Sequence, residues 1–486
     1  MLSVLRTPAF RRLFAAQVVA LVGTGLATVA LSLLAYDLAG ADASAVLGTA
    51  LALKMVAYVA FAPLAGVLAA RLPRRTLLVS LDLLRAGIAL SLPFVTEVWQ
   101  IYGLVLLLQA ASATFTPAFQ ATVPDVLPGE RAYTEALSLS RLAYDLESLA
   151  SPALAAALLA LVPYPWLFSG TSAGFLASAL LVLTLRLPKP ARGPGERRGS
   201  RVLLGARLMF ATPRLRALLA LDLAVAAAGA LVLVGTVTLV RVTLGRPAGD
   251  VPLALGAYGA GSMGVALLLP RLLDRLDERR VMLTGAFALP VVLGALALAL
   301  TPGRGAAAWA GLLGAWVLAG AATSAVLTPS GRLLRRSADP ADLPAAFAAR
   351  FSLSHACWLL TYPLAGRLVS RGAGPVLPAA VLGGLALLAA LAAARLWPRT
   401  DPAALPHAHP ELPAGHPHLA GAGAHAPAHA HVFHIDALHH RWPETPDGGG
   451  AGPHRRPVGV LRSGRFRPPG PGRSGTRRPR RAGRPG

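Results

Sequence analysis

The sequence predicts an all-α membrane protein with twelve transmembrane helices, arranged as two pseudo-symmetric halves of six. Composition and the distribution of apolar residues support this fold class. Of the 486 residues, 55% are hydrophobic and only 14% are charged, which is too little charge to cover the surface of a soluble protein. A membrane-spanning helix needs about 20 mostly apolar residues. Stretches of this kind lie at residues 13–38, 45–70, 76–95, 99–118, 135–162, 165–187, 216–241, 252–272, 281–300, 306–330, 346–370 and 375–397.

A repeat relates the two halves of the membrane portion. Thr116–Ala118 (T-P-A) ends the fourth span and Thr328–Ser330 (T-P-S) ends the tenth. Further on, Leu137–Ser140 (L-S-L-S) is matched by Phe351–Ser354 (F-S-L-S). Such internal similarity is typical of transporters built from two parallel halves. We therefore predict an N-terminal half at 1–187, a cytoplasmic linker loop at 188–213, a C-terminal half at 214–398, a His-rich cytoplasmic tail at 399–443 and a disordered Arg/Pro/Gly-rich extension at 444–486.

The distribution of charge predicts the orientation and excludes some functions. The net charge is +24, and most Lys and Arg residues lie in the loops on the side of the N-terminus, in the linker and in the tail. Loops of this kind stay in the cytoplasm, so both termini are expected there, in a multi-pass protein of the plasma membrane. No nucleic acid is expected as a partner, because no binding motif accompanies the basic residues. The single cysteine, Cys357, excludes an intramolecular disulfide and a cysteine-based zinc site.

The loop between the second and third spans resembles the major facilitator superfamily signature, G-x-x-x-D-R-x-G-R-R. The first glycine and three basic residues match, whereas Ala70 replaces the acid and Pro73 replaces the second glycine. The equivalent loop of the second half keeps the acid and lacks the glycines. This resemblance implies a fold in which two halves alternate access to a central site. The residues expected to form a structural gate are Gly66, Arg71, Arg74, Arg75, Asp82, Arg85, Asp274 and Arg275.

Ionisable side chains within the predicted spans require an explanation, because each costs about 2.5–3.5 kcal/mol on insertion scales. Asp82 and Arg85 are three residues apart on one helix face. They can pair with each other or with the Arg74–Arg75 loop, which indicates a structural role. Arg141 and Asp145 are i,i+4 partners, and their pairing is the structural alternative to a transport role.

Other acids lack a partner of this kind. Glu147 follows Asp145 by two residues and lies on a different helix face, so it cannot reach the same arginine. Two acids this close in a span suggest a water-filled path for cations or protons. Asp222 is a candidate for the coupling proton, because the superfamily resemblance implies that its span lines the cavity. Asp37 could lie among lipid headgroups, and Lys54 could neutralise an acid or extend to the interface. The residues expected in transport or proton coupling are Asp145, Glu147, Asp222, Asp37 and Lys54.

The eleventh span carries candidate metal ligands. His355 is the only histidine before residue 400, and Cys357 and Tyr362 follow it. Imidazole binds nickel, cobalt, zinc and copper, and thiolate is a soft donor. His355 and Tyr362 are seven residues apart and share a face, whereas Cys357 points elsewhere. A packed histidine and a small buried cysteine are the structural alternatives.

The tail is rich in histidine. Its Pro, Ala, Gly and His composition predicts a segment that does not fold by itself. The H-x-H pairs place alternate imidazoles on one side of an extended chain. Since the ordinary histidine pKa is about 6.5, most of these imidazoles are neutral and able to bind metal in the cytoplasm. The expected ligands are His407, His409, His416, His418, His425, His429, His431, His434, His439 and His440.

The chain also resembles the nickel-resistance permeases of the major facilitator superfamily, which are exporters with a histidine-rich cytoplasmic C-terminus. The matching segments are His431–Pro443 in the tail, Ser354–Trp358 in the eleventh span and Tyr144–Glu147 in the fifth. The resemblance covers residues 1 to 443 and has no counterpart for the extension at 444–486. It implies a monomeric, proton-coupled exporter of Ni²⁺, and also of Co²⁺, that confers metal resistance from within the lipid bilayer.

The predicted function is secondary active efflux of a divalent transition metal, with the metal as cargo and no prosthetic group. No G-x-x-x-x-G-K-[ST] sequence is present, so coupling to an ion gradient is expected. The first alternative is an exporter of an organic compound such as a siderophore, a drug or a metal chelate. The second is a metal sensor or storage anchor that transports nothing. An enzyme is not expected, because no nucleophile and base or open metal site with motif spacing occurs.

Overall fold

The computed structural model describes residues 2–39, 43–69, 71–185, 187, 200–247, 250–301, 305–370, 374–401, 404–408, 428–436, 438–439 and 441–443. The chain divides into two compact units, Met1–Pro443 and Glu444–Gly486. The second unit corresponds to the predicted extension and lies outside the described residues. The four tail histidines from 409 to 425, and His440, are also outside them.

Long helices make up the first unit. The N-terminal half contains α1 (Pro8–Ala39), α2 (Ala43–Ala69), α3 (Arg74–Ser91), α4 (Val98–Val126), α5 (Glu130–Leu159) and α6 (Pro165–Leu183). Helix α7 (Ser200–Ala211) follows. The C-terminal half contains α8 (Pro213–Thr243), α9 (Asp250–Leu273), α10 (Glu278–Leu300), α11 (Ala306–Leu327), the short α12 (Ser330–Ser337), α13 (Leu343–Ser370) and α14 (Val376–Leu396).

The helices agree with the twelve predicted spans. Ten described helical stretches are long and apolar enough to cross a membrane. Helices α5 and α13 equal them in length, at 30 and 28 residues, and carry six and two charged side chains, respectively. Most of these helices are apolar on all sides, because one face packs on neighbouring helices and the other contacts lipid. The chain is a predominantly helical, multi-pass membrane protein.

The two halves repeat the same helix packing. In the N-terminal half α1 packs on α6, α2 on α4, and α3 on α6. The equivalent pairs in the C-terminal half are α8 with α14, α9 with α11, and α10 with α14. The halves meet where α2 contacts α13 and where α5 contacts α9. The sequence repeat is therefore matched by a structural one, and the fold is that of two six-helix halves.

The linker differs from its prediction as a loop. Residues 200–211 form α7, which packs on α13 and α2. Its apolar side chains Leu204, Leu208 and Met209 are buried. The helix approaches α13 closely, because a Cβ on Gly205 would stand 2.4 Å from the carbonyl oxygen of Ala345. The helix forms because its apolar side packs in a groove between the halves. The flanking basic residues in the sequence did not indicate this packing.

Two segments of the tail also differ from the prediction. Strand β1 (Ala404–Ala408) pairs antiparallel with β2 (Ala428–Val432), with Leu405 opposite His431 and His407 opposite His429. Leu405, Phe433 and Ile435 are buried in the core of the C-terminal half. The composition predicts that the tail has too few apolar residues to fold alone. These few residues become ordered because they pack against an existing core.

Candidate transport site

A central cavity of about 360 Å³ lies between the two halves. The N-terminal half contributes side chains of α2, α4 and α5, and the C-terminal half contributes α8, α11, α12 and α13. Five Phe, Tyr and Trp residues line it, namely Tyr58, Tyr144, Phe347, Phe351 and Trp358. A cavity shared by both halves, with aromatic walls and a few polar groups, is the form expected of a binding site for a small molecule.

Arg141 and Asp145 form the predicted pair on α5. An NH2 nitrogen of Arg141 lies 3.0 Å from Oδ1 of Asp145, and the Nε of Arg141 donates to Oγ of Ser262 at 3.0 Å. Ser262 belongs to α9, so this arginine connects the two halves. Arg141 lines the central cavity. The i,i+4 pairing is confirmed, and the arginine has a second role that the spacing did not predict.

Asp222 on α8 has a partner that the sequence did not indicate. NH2 of Arg350, on α13, donates to Oδ1 of Asp222 at 2.9 Å, and both residues line the central cavity. The carboxylate is almost completely buried. Because the two residues are far apart in the chain, only the packing of α8 against α13 brings them together.

Glu147 is separated from the Arg141 pair, as predicted. It lies close enough to Lys54 of α2 for their charges to interact, and Oγ of Ser151 donates to it at 3.5 Å. The Nζ of Lys54 also lies 5.6 Å from the centroid of the Tyr58 ring. Lys54 therefore lies near an acid, which is one of the two alternatives that the sequence allowed for it. Asp37 is exposed near the end of α1, which agrees with a position at the membrane surface.

His355 faces the cavity, whereas Cys357 does not line it. The Nδ1 of His355 lies 2.7 Å from the carbonyl oxygen of Phe351. Because a carbonyl oxygen only accepts hydrogen bonds, Nδ1 must donate to it, which leaves Nε2 for a ligand. The ring centroids of His355 and Phe351 are 4.1 Å apart, and Tyr58 meets His355 edge-on at 4.8 Å. Cys357 donates to the carbonyl of Leu353 at 3.4 Å. Among the described residues, no three His, Cys, Asp or Glu side chains converge to form a metal site.

Three of the predicted gate residues take part in two separate ion pairs. Asp82 pairs with Arg85 and accepts a hydrogen bond from Ser178 at 2.7 Å. Arg74 instead pairs with Asp125 and donates to the carbonyl of Ala121 at 2.5 Å. Of the two partners that the spacing allowed for Asp82, the structure selects Arg85. Arg71, Arg75 and Arg275 are exposed, and Gly66 lies within α2.

A second ionic cluster joins the halves at the end of the bundle that holds loops 127–129 and 274–277. Arg332 of α12 pairs with Glu130 of the N-terminal half and with Glu278 of its own half, the latter at 2.9 Å. It also donates to Oγ1 of Thr134 at 2.9 Å. Asp274 lies 3.7 Å from Arg131. These contacts connect the two halves at this end.

The sequence analysis missed Arg332, Glu130 and Glu278. Aligning Thr116 with Thr328 places Arg332 opposite Gln120, so the repeat is broken by a charge at that position. This departure from the repeat was the available signal.

The tail is bound to the C-terminal half through charged and aromatic contacts. Asp401 lies 2.8 Å from Arg214 and also pairs with Arg336. The Trp442 ring covers Arg214, with 5.0 Å between the guanidinium carbon and the ring centroid. Phe433 meets Trp442 at a centroid distance of 5.1 Å. The conspicuous His431–Pro443 motif therefore includes a docking cluster, formed by Phe433, Ile435 and Trp442.

Two tail histidines take part in this docking. The Nδ1 of His439 lies 2.9 Å from Oδ1 of Asp436, and its ring meets Phe433 at 4.5 Å. Burial of His434 lowers its pKa below the ordinary value. The positive charge of Arg214 also lowers this pKa, whereas the negative charge of Asp339 raises it. Burial alone would raise the pKa of Asp436, but hydrogen bonds from the backbone and ring of His439 bring it below the ordinary value. Neither histidine is a free ligand in the docked state.

Known proteins resemble this chain in sequence and in structure. The profile of the Major Facilitator Superfamily matches residues 13–310 and 223–443. The uncharacterized MFS-type transporter YfiS of Bacillus subtilis (strain 168) is 28% identical over 123 residues, which cover 25% of this chain and 29% of that protein. The chain thus matches less than a third of this relative's length.

Three solved structures share the fold. The human organic anion transporter MFSD10 gives a TM-score of 0.62 at 15% identity, covering 79% of this chain and 98% of its own. A bacterial homologue of the iron transporter ferroportin, in an outward-facing state, gives 0.64 at 14% identity, with coverages of 80% and 99%. FucP in the outward conformation gives a TM-score of 0.64 at 14% identity, covering 80% of this chain and 98% of its own. The chain belongs to the Major Facilitator Superfamily and is a membrane transporter, not an enzyme.

Proposed function

We propose that this chain is a secondary active exporter of divalent transition metal, nickel or cobalt, that is driven by protons and confers metal resistance. The observation that carries the proposal is the attachment of the histidine-bearing tail to the transporter body. Imidazole is a preferred ligand of these ions, and the tail strands hold His407 directly opposite His429. Residues directly opposite in an antiparallel pair are close neighbours, so this position is suited to capture metal.

The position of the tail supports delivery of metal to the transport path. Asp401 pairs with Arg336, which also lies 3.8 Å from Glu278 in the cluster that joins the halves. The tail is therefore held beside one end of the transport path. We propose that this end is cytoplasmic, with both termini on the same side, in agreement with the charge asymmetry of the loops. A monomer is sufficient for this arrangement.

The acids within the membrane are the proposed proton sites. Asp222 is buried beside the cavity and has one arginine partner. Asp145 is paired with Arg141, and Glu147 is balanced by Lys54. Buried acids with a single opposing charge are typical of proton relays in transporters. The resemblance of the fold to a homologue of the iron transporter ferroportin agrees with a metal cargo, as does His355 on the cavity wall.

Transport in inside-out vesicles tests the proposal. When the vesicle interior is more acidic than the buffer, vesicles containing the protein should accumulate ⁶³Ni²⁺. A protonophore should abolish this accumulation. Replacing His407, His429 and His431 together with Gln should lower uptake at limiting nickel while leaving the docking residues in place. Glu147→Gln and Asp222→Asn should lose coupling, whereas the exposed control Asp277→Asn should not.

Two results would contradict the proposal. Equal nickel and cobalt content in vesicles with and without the protein would leave a sensor or storage role. Transport that is indifferent to the three histidine substitutions at every nickel concentration would remove the observation on which the proposal depends.

A further inference from the structure

The central cavity presents arginines rather than acids. Arg141 and Arg350, one from each half, have side-chain exposures of 19% and 15%, whereas their partners Asp145 and Asp222 have 8% and 2%. The two carboxylates are therefore more deeply buried than the guanidinium groups. A ligand that enters the cavity meets two guanidinium groups before it meets either acid.

Arg350 also has unused hydrogen-bonding capacity. Its NH2 donates to Oδ1 of Asp222 at 2.9 Å. Among the described atoms, Nε of Arg350 and Oδ2 of Asp222 are buried without a hydrogen-bond partner. An unpaired buried donor is costly, and a guanidinium group is shaped to bind a carboxylate with two parallel hydrogen bonds. A carboxylate in the cavity would accept from Arg350, whose side chain lines the cavity and is 15% exposed.

The remaining walls suit an organic ligand. Tyr58, Phe351 and His355 form a group of tilted and edge-on rings, and Trp358 and Tyr144 also line the cavity. A bare divalent cation would find a single imidazole, that of His355, among these rings and would be repelled by both arginines. It would also find no set of three ligating side chains among the described residues.

We propose that the cavity binds its metal cargo as a carboxylate-bearing chelate, with Arg350 and Arg141 holding the ligand's carboxylates. This inference rests on the proposed function, because it assumes that metal is exported. Arg141 lies on α5 and Arg350 on α13. A chelate held by both thus connects the two halves, and its binding is coupled to their relative movement. Both arginines are specificity-determining residues on this account.

Uptake of labelled metal in two chemical forms tests the inference. Inside-out vesicles would be given ⁶³Ni²⁺ either as its citrate complex or as the free ion in a non-coordinating buffer. Wild-type protein should carry the complex faster. Arg350→Gln should lower uptake of the complex by about 10- to 100-fold, as expected when a charge-assisted hydrogen bond is lost. Arg350→Lys should restore uptake only partly, because lysine keeps the charge but not the paired donors.

Controls keep the outcome clear if a variant fails to fold. Arg280→Gln removes an exposed arginine, 72% accessible, and should leave both rates unchanged. Arg141→Gln provides a second cavity variant, and thermal unfolding checks that each protein is intact. The ratio of the two rates in wild-type protein needs no variant.

The results separate this inference from the proposed function. Equal or faster uptake of the free ion by wild-type protein would overturn the chelate inference and leave metal export standing. No nickel uptake in either form, together with uptake of ¹⁴C-citrate alone, would overturn metal export while supporting an organic anion site. Uptake of neither nickel nor citrate would overturn both.

Discussion

Replacing Asp82 with Asn should destabilise the N-terminal half strongly. Asp82 is fully buried, pairs with Arg85 and accepts a hydrogen bond from Ser178. The Arg85 guanidinium carbon lies 4.0 Å from the centroid of Phe115 and 4.5 Å from that of Phe175. In the variant, this cation remains between two rings without a compensating charge.

The size of the effect follows from this geometry. Removing one partner of a buried ion pair costs about 3–5 kcal/mol, because the remaining charge stays desolvated. At roughly 2–4 °C per kcal/mol for a unit of 150–250 residues, the unfolding midpoint should fall by roughly 6–20 °C. The assay is thermal unfolding of the purified protein in detergent.

A matched control uses an exposed pair of the same residue types. Asp277 and Arg280 lie 3.2 Å apart with exposures of 58% and 72%. Asp277→Asn should change stability by no more than about 1 kcal/mol, since asparagine also serves as a helix N-cap. The double variant Asp82→Leu with Arg85→Met should recover most of the loss, because an apolar pair needs no compensation. An Asp82→Asn midpoint equal to that of the control would refute the reasoning.

Three further outcomes are expected. Gly261→Ala should lower the free energy of unfolding by about 1–3 kcal/mol through overpacking, because the new Cβ would stand 1.8 Å from a carbonyl oxygen of α11. Gly264 faces open space, so Gly264→Ala should be tolerated in the same unfolding assay. Asp401→Asn should release the tail from Arg214. If docking loses ~1.4 kcal/mol of free energy, protease cleavage of the tail should accelerate by about tenfold. An unchanged cleavage rate would contradict the docking. Docking of the tail should also weaken as the pH falls below 6.5, the ordinary pKa of histidine. Burial lowers the pKa of His434 in the docked state, so the free tail binds more protons than the docked one. A rate of tail cleavage that stays constant between pH 7 and 5 would argue against this.

The sequence by itself determined the membrane fold. Apolar stretches long enough to cross a bilayer have few alternatives to helices, because every backbone group must be satisfied within the segment. The repeat around Thr116 and Thr328 therefore predicted the two halves, which the recurring helix pairs confirm. Local spacing also predicted the Arg141–Asp145 and Asp82–Arg85 pairs, since partners three or four residues apart on a helix meet whatever the tertiary structure.

Only the tertiary structure decided which distant residues meet. Asp222 and Arg350 come together across α8 and α13, and Arg332 reaches Glu130 across the two halves. No periodicity in a single helix encodes such contacts, because they depend on how helices cross. The same holds for the tail, whose few apolar residues order only against a core built by others. Helix formation is satisfied locally, whereas a binding site is assembled from side chains that the chain alone leaves far apart.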